Sequence, residues 1–281
     1  MNLSVVIITF NEEASVARTL ASVQPLVADG KGEIIVVDSG STDRTLEIAK
    51  SFGAKVFVEE WKGFAAQKNS AIDKATGDWI LSLDADEEAD LELIQELTGP
   101  RDDKLDSGTA PRESCMTMRH GGQEFLEGSP VGFLVRRKNY FLGRWIRYGG
   151  FWPDPKLRLF RRGAGGFEGR AVHEDVGVDG PTKAVPQGAI VHHSYPTLSD
   201  YIEHMNRYSS LGAEMVVAKG NNKVRFSVSN ILLRPIFTFL YNYVLRLGFL
   251  DGREGLLLHL YHAVYVSWKY AKAWELSRNK S

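Results

Sequence analysis

The sequence predicts an α/β fold: a Rossmann-like mixed sheet followed by a helical C-terminal extension. Three observations carry that expectation. The first ninety residues alternate short β-branched runs with helical stretches. Their spacing suits parallel strands joined by crossover helices. Beyond Thr197 the pattern becomes helical and stays so to the end.

Residues 4–9 form a continuous β-branched run, as expected of a strand buried on both faces. Asn11-Glu12-Glu13 opens an amphipathic helix to about Val23. Residues 33–37 read as a second buried strand, and Ser41-Thr42-Asp43 caps a helix running to about Phe52. A third strand is expected at 55–59, a helix at 64–76 stopped by Gly77, and a fourth strand at 79–83 ending at Asp84. Residues 99–114 are polar and turn-rich. Further strands are expected at 115–119, 132–137, 157–161 and 189–193. Helices follow at 199–219, 224–249 and 255–275, so the expected division is 1–197 and 198–281.

With 281 residues, 43% hydrophobic and 25% charged, the chain is long and apolar enough for a large core, which excludes wholesale disorder. Its single cysteine, Cys115, excludes an internal disulfide framework and fits a reducing compartment. The N-terminus lacks a basic segment and a long apolar run, so a cytoplasmic protein is expected. The net charge of −1 hides a gradient. Residues 136–170 hold ten Lys/Arg against two acids, and 200–281 hold eleven against six. A basic middle and tail suit a diphosphate, a phosphorylated glycan or an anionic membrane, or else a solvated face. The stretch 224–249 is apolar and aromatic but interrupted by Arg234, Pro235, Asn242 and Arg246. Charges there disfavour a membrane span, leaving an interfacial helix or hairpin, or a buried helix.

The chemistry-bearing residues fall at strand ends, where open α/β sheets bind ligands. Asp84-Ala85-Asp86-Glu87-Glu88 ends the fourth strand. Carboxylates two apart can hold a hard divalent cation with substrate phosphates completing its shell, and four acids in five positions would repel without a cation. A helix N-cap is the alternative. Asp38 ends the second strand and suits a ribose or base edge, or a turn. Thr9, Asn11 and Glu12 line the first strand–helix turn, where a nucleotide would also lie. Lys68 and Asn69 are candidates for a phosphate or uracil. Glu174 and Asp175 follow a basic, glycine-rich stretch and are candidate general bases. His192 and His193 end a short apolar run, as a metal ligand, a diphosphate contact or structural residues. Arg158 and Arg161 are candidates for a diphosphate or acceptor phosphates, and Trp152 and Phe151 for stacking on acceptor sugars or for core packing.

In the order Val5-Val-Ile-Ile-Thr-Phe-Asn-Glu12, Val36-Val-Asp38-Ser-Gly-Ser-Thr-Asp43, Gln67-Lys-Asn69 and Gly77-Asp-Trp-Ile-Leu-Ser-Leu-Asp84-Ala-Asp86, the chain resembles the family 2 glycosyltransferases. The resemblance implies the GT-A fold, a UDP-sugar donor, and Mg²⁺ or Mn²⁺. It implies that Asp38 contacts the nucleoside, Asp86 is the main metal ligand, Asp84 and Ala85 face the sugar or ribose, and His192 joins the metal. Val172-His-Glu174, Ile190-Val-His192-His193, Leu233-Arg-Pro235 and Gly248-Phe-Leu-Asp251-Gly252 are similar to the lipopolysaccharide inner-core β-1,4-glucosyltransferase branch. That similarity implies transfer of a hexose, with glucose from UDP-glucose expected, to a core heptose by a protein peripheral on the inner face of the cytoplasmic membrane. It points to Glu174 as base, whereas the general fold pattern points to Asp175. No nucleic-acid partner is expected. A nucleotidyltransferase would need a basic glycine-rich loop after the first strand, where this chain has Thr9-Phe-Asn-Glu-Glu. A non-catalytic sugar-nucleotide module would not need Asp84, Asp86 and the later acids together.

Overall fold

The structure is a computed structural model and describes residues 2–99, 119–120, 123–124, 129–168, 175–220 and 224–278. Strand β1 (Leu3–Thr9) is central because its residues are apolar on both faces. It pairs in parallel with β2 (Gly32–Asp38) on one side, Thr9 opposite Asp38. Between them lies helix α1 (Val16–Val27), preceded by a turn closed by Glu12 rather than by a helix from Asn11. Helix α2 (Thr45–Ser51) leads to β3 (Lys55–Val58), parallel to β2. Helix α3 (Phe64–Asp73) leads to β4 (Trp79–Asp84), parallel to β1.

Alternation along β1 divides the core. Leu3, Val5 and Ile7 pack with Val16, Leu20 and Val23 of α1, while Val6 packs with Ile35, Val37, Ala71 and Ile72 on the α3 side. Two short elements absent from the expectation follow β4: β5 (Glu87–Ala89) and α4 (Leu91–Thr98). Strands β6 (Arg119–His120) and β7 (Gln123–Glu124) make a separate antiparallel pair. The expected strand at 115–119 otherwise lies outside the described residues. Then come β8 (Gly132–Phe141), β9 (Arg144–Trp145), β10 (Lys156–Arg161), the antiparallel pair β11 (Gly165–Glu168) and β12 (Asp175–Val178), and β13 (Thr182–Tyr195). Among the described residues the main sheet has nine strands, ordered β3-β2-β1-β4-β10-β8-β13-β5, with β9 on β8. It is parallel from β3 to β4 and turns antiparallel at β10, which makes it the mixed sheet expected.

The chain forms two compact units. The first comprises residues 1–135, 155–169 and 175–190, and the second residues 136–154, 170–174 and 191–281. The helical tail is therefore grouped with residues 136–154. In the second unit, α5 (Leu198–Lys219) starts with a capping box between Thr197 and Asp200. The expected 224–249 helix is a π-helical turn (Ser229–Leu233), α6 (Arg234–Phe239) and a second π-helical turn (Leu240–Leu245). It stops at Leu247, whose φ is 61°. A 3₁₀ turn (Gly248–Asp251) then enters α7 (Gly252–Arg278). Small residues let α5 and α7 approach, with Ala213 and Val217 against Ala273. The Lys272 ammonium ties them further by donating to Asn206, Ser209 and Ser210. Among the described residues no helix is long and apolar enough to cross a membrane.

Candidate active site

The loops at the carboxyl ends of β1 and β2 are stitched to each other by side chains. Thr9 Oγ1 donates to Asp38 Oδ1 at 2.8 Å, and both residues are buried. Asp38 also accepts from the Gly40 and Ser41 N–H groups, at 2.8 and 2.7 Å, and from Ser41 Oγ. The carboxylate expected to meet a nucleoside is thus fully buried and committed to shaping its own turn, as an Asx-type turn does. Asn11, at φ 54°, accepts from the Thr42 N–H, while its own N–H donates to Ser41 Oγ. Thr45 Oγ1 accepts from the Glu12 N–H, and Asp43 accepts from the Glu13 N–H. The sequence pattern Ser-Gly-Ser-Thr-Asp-Arg-Thr supplies this run of short hydroxyl and carboxylate side chains.

The acidic end of β4 holds cations already. Lys68 Nζ lies 2.7 Å from Asp84 Oδ1, and Arg158 lies 2.9 Å from Asp84 Oδ2. The same guanidinium donates to Glu87 at 2.7 Å, and Glu87 accepts from the Asp84 N–H at 3.0 Å. Arg18 lies 2.6 Å from Glu88. The idea that these four acids would repel without a cation is corrected: Lys68, Arg158 and Arg18 relieve three of them. Burial pushes the Asp84 carboxyl up, but Lys68 and Arg158 outweigh it and hold the group well below the usual range. Glu87, with no exposed surface, is the residue that sequence reasoning passed over. Its signal was the acidic run itself, whose third member begins β5 and turns inward.

Asp86 is half-buried in the same loop. Near it lies Glu12, whose carboxyl is pushed up by burial, against a hydrogen bond from Ser15, and further up by Asp86, Asp43 and Asp84. The mouth of β1 and β4 is therefore a region of negative potential. Among the described residues no three His, Cys, Asp or Glu side chains are grouped closely enough to hold a metal ion. A divalent cation bound through Asp86 would take most of its ligands from substrate oxygens and water, the usual arrangement for Mg²⁺ with phosphates. The donor set fits such an ion.

Other candidate residues have partners within the protein. Asn69 holds strand β11: its amide donates to the Phe167 carbonyl at 2.9 Å and accepts from the Phe167 N–H at 2.8 Å. Lys68 is buried on Asp84 and over the Phe167 ring. Arg158 is a buried partner of Asp84 and Glu87. Arg161 pairs in register with Trp79 and stacks on its ring at 5.1 Å, at the opposite end of β4 from Asp84. Ala85 is buried, and its carbonyl accepts from Thr19. Asp175 is exposed at the start of β12, opposite Glu168, while Glu174 lies outside the described residues.

In the second unit, Phe151 packs in the core with Phe141, Ile146 and Leu258. Trp152 sits edge-on to Trp145 at 5.2 Å. His192 Nδ1 lies 3.0 Å from Asn139 Oδ1 and 2.8 Å from Ser194 Oγ. Asn139 donates through its amide nitrogen to Asp154 at 3.0 Å, which fixes its oxygen as an acceptor. In the neutral ring the proton then belongs on Nδ1 and the lone pair on Nε2, the form that binds metals. His193 faces the Tyr140 ring at 5.3 Å.

A parallel half-sheet turning antiparallel, with an Asp-Ala-Asp loop ending its fourth strand, defines a GT-A fold. The chain belongs to glycosyl transferase family 2, whose family model matches residues 4–164. An uncharacterised glycosyltransferase of Rickettsia typhi is 30% identical over 98% of this chain and 87% of its own. The lipopolysaccharide core biosynthesis glycosyltransferase LpsC of Rhizobium meliloti is 28% identical over 97% of this chain and 92% of its own. Among solved structures, glucosyl-3-phosphoglycerate synthase of Mycobacterium tuberculosis, in complex with Mn²⁺, UDP and glucosyl-3-phosphoglycerate, is 29% identical. That match spans 34% of this chain and 37% of the other, with a TM-score of 0.30.

Proposed function

We propose that this glycosyltransferase moves a hexose, with inversion, from a UDP-sugar to a glycan acceptor, and that the donor is UDP-glucose and the acceptor a heptose of the lipopolysaccharide inner core. The observation that carries the reading is the acidic mouth formed by Asp86 and Glu12 beside loops whose own side chains hold them in shape. LpsC, a lipopolysaccharide core enzyme similar over nearly the whole chain, supports the acceptor class.

The Asn11–Glu12 turn and the 39–42 loop receive the nucleotide, with Thr9 and Asp38 setting their shape from beneath. Asp84, neutralised by Lys68 and Arg158, positions the loop that carries Ala85 and Asp86. Asp86 would hold Mg²⁺ or Mn²⁺ together with substrate oxygens and water, and the ion would neutralise charge developing on the diphosphate. The acceptor hydroxyl attacks the anomeric carbon on the face opposite the diphosphate. A carbon–oxygen bond forms to the acceptor, the bond to the diphosphate oxygen breaks with its electron pair, and Glu174 takes the hydroxyl proton, with Asp175 the alternative base. The protein works peripherally on the inner face of the cytoplasmic membrane. Exposed Leu233, Phe237, Leu240, Val244 and Leu245, with Arg234 and Arg246 among them, suit an anionic interface.

The test is UDP release from UDP-glucose with Mn²⁺ and a heptose-containing core acceptor. Asp86→Asn lowers the rate by roughly 100-fold or more, as loss of a charge-stabilising group does. Full transfer activity in that variant would falsify the mechanism.

A further inference from the structure

The second unit contains a cavity of about 540 Å³ lined by Tyr140, Arg144, Trp145, Arg147, Tyr148 and Leu250, with Asp251 at its base. It is of the size that takes a small ligand. We infer that it binds a phosphorylated sugar, and, resting on the glycosyl-transfer reading, that this sugar belongs to the acceptor.

Three features carry the inference. The first is charge. The exposed Arg147 guanidinium stacks on the Trp145 ring at 4.1 Å, and among the described residues no carboxylate pairs with it. Arg144, also exposed, is only loosely matched by Glu254 at 3.8 Å. The one acid lining the cavity, Asp251, is 2% exposed, and its two oxygens accept from the Arg147 and Tyr148 N–H groups at 3.1 and 2.8 Å. Its charge is committed to the backbone, while Arg144 and Arg147 are exposed. Two guanidinium groups over one hollow are what a phosphate selects, since each offers paired donors to its oxygens.

The second feature is an exposed ring. Tyr148 is 37% exposed and lines the cavity, a surface of the kind that covers a sugar's C–H face while the hydroxyls stay wet. The third is an unmet donor. Trp145 Nε1–H is buried and has no acceptor among the described residues. A ligand oxygen reaching beneath the exposed Arg147 side chain would supply one, as buried donors require. The platform is also rigid. Asp251 pins the 147–148 backbone, and the Gly149 N–H donates to the Arg246 carbonyl at 2.9 Å, so Arg147 projects from a fixed point.

Full-length protein titrated with glucose 6-phosphate, glucose and inorganic phosphate, followed by Trp fluorescence and calorimetry, tests this. Glucose 6-phosphate binds about tenfold or more tighter than either fragment, because both halves of the cavity are then filled. Arg147→Ala and Arg144→Ala each weaken it about tenfold, and Arg147→Lys recovers part of the loss. Equal binding by wild type and both alanine variants overturns the inference. So does wild-type binding of glucose as tight as that of the phosphate ester, or no binding of the ester up to about 10 mM. UDP release by the same wild-type preparation, assayed without the ester, separates this failure from failure of the transferase reading. Release without ester binding sinks only the cavity, and ester binding that needs Arg147 without release sinks only the reaction.

Discussion

The first unit holds its functional loops with charge and hydrogen bonds. The helical part of the second relies on close backbone approach and rings. At the end of β4 a buried acid, Glu87, sits against a buried base, Arg158, Asp84 is matched by Lys68 and Arg158, and Glu88 by Arg18. In the second unit the most buried titratable ring, His259, is 1% exposed, and neither ring nitrogen has a hydrogen-bond partner among the described residues. It fits because Gly149 and Gly248 carry no Cβ; a methyl at either position would overlap the imidazole. The contrast shows two routes to a fixed geometry. One is sensitive to the loss of a partner, the other to added volume and to protonation.

The largest effect is expected where a charge would be stranded. Arg158→Met leaves Glu87 buried without its guanidinium and removes one of the two cations on Asp84. A loss of about 3–5 kcal/mol is expected, the range for breaking a buried pair from one side. Hydrogen exchange at the amides of β4 and β10 reads it locally. Arg158→Met with Glu87→Leu should recover much of the loss, because the orphaned charge goes too. If the single variant is as stable as the parent, the ion network is not what orders this loop.

Acid separates the units next. Burial, then the neighbouring His262, depress the His259 pKa to about 4, with Asp251 opposing. The unfolded ring titrates near 6.5. Between those values the unfolded chain binds the proton and the folded one does not, so stability in the second unit falls as pH drops from about 6.5 to about 4. The total is on the order of 3 kcal/mol. Glu33 in the first unit behaves differently. Burial raises its carboxyl, but bonds from Lys55, Ser4 and Thr76 outweigh that and hold it at about 2. Its contribution is complete above about 4.5, the ordinary glutamate range, and is lost only as pH falls toward about 2. Exchange at α7 amides should therefore accelerate at pH 5, while β2 amides keep their protection. His259→Leu should abolish that early phase. A single shared pH midpoint for both regions would contradict the assignment.

The strands of the first unit were legible because apolar runs and Gly77 punctuate them, and Asp38 and Asp84 fell at strand ends as their positions implied. What the sequence did not reveal was who neutralises whom. Arg158 is 74 residues from Asp84, and only the antiparallel return of β10 brings the two together. A lone Arg in a basic stretch reads as phosphate-binding until that return is known. Strand β5 and helix α4 were missed because Glu87-Glu88 reads only as part of a repelling acidic run, although Asp90 before Leu91 is a clear helix start. In the tail, periodicity gave helices but not the break at Leu247, which depends on a left-handed residue that sequence rarely assigns to leucine.

The smallest expected effect tests whether the contrast reaches helix caps. Asp90 caps α4 by accepting from the Leu93 N–H at 2.8 Å, and the same oxygen accepts from the Ala189 N–H of β13 at 3.0 Å. Thr197 caps α5 only through its reciprocal bonds with Asp200. If the first unit is held by side chains that serve two partners, Asp90→Ala should cost about 2 kcal/mol, the upper range for a cap, because it also strands a strand N–H. Thr197→Ala should cost about 1 kcal/mol or less, since its cap is exposed and water can replace it. Urea midpoints of the two variants, at equal m-values, give the difference. Equal losses would mean that the bond to Ala189 adds nothing, and that the two units differ in their buried charges but not in how their helices are tied.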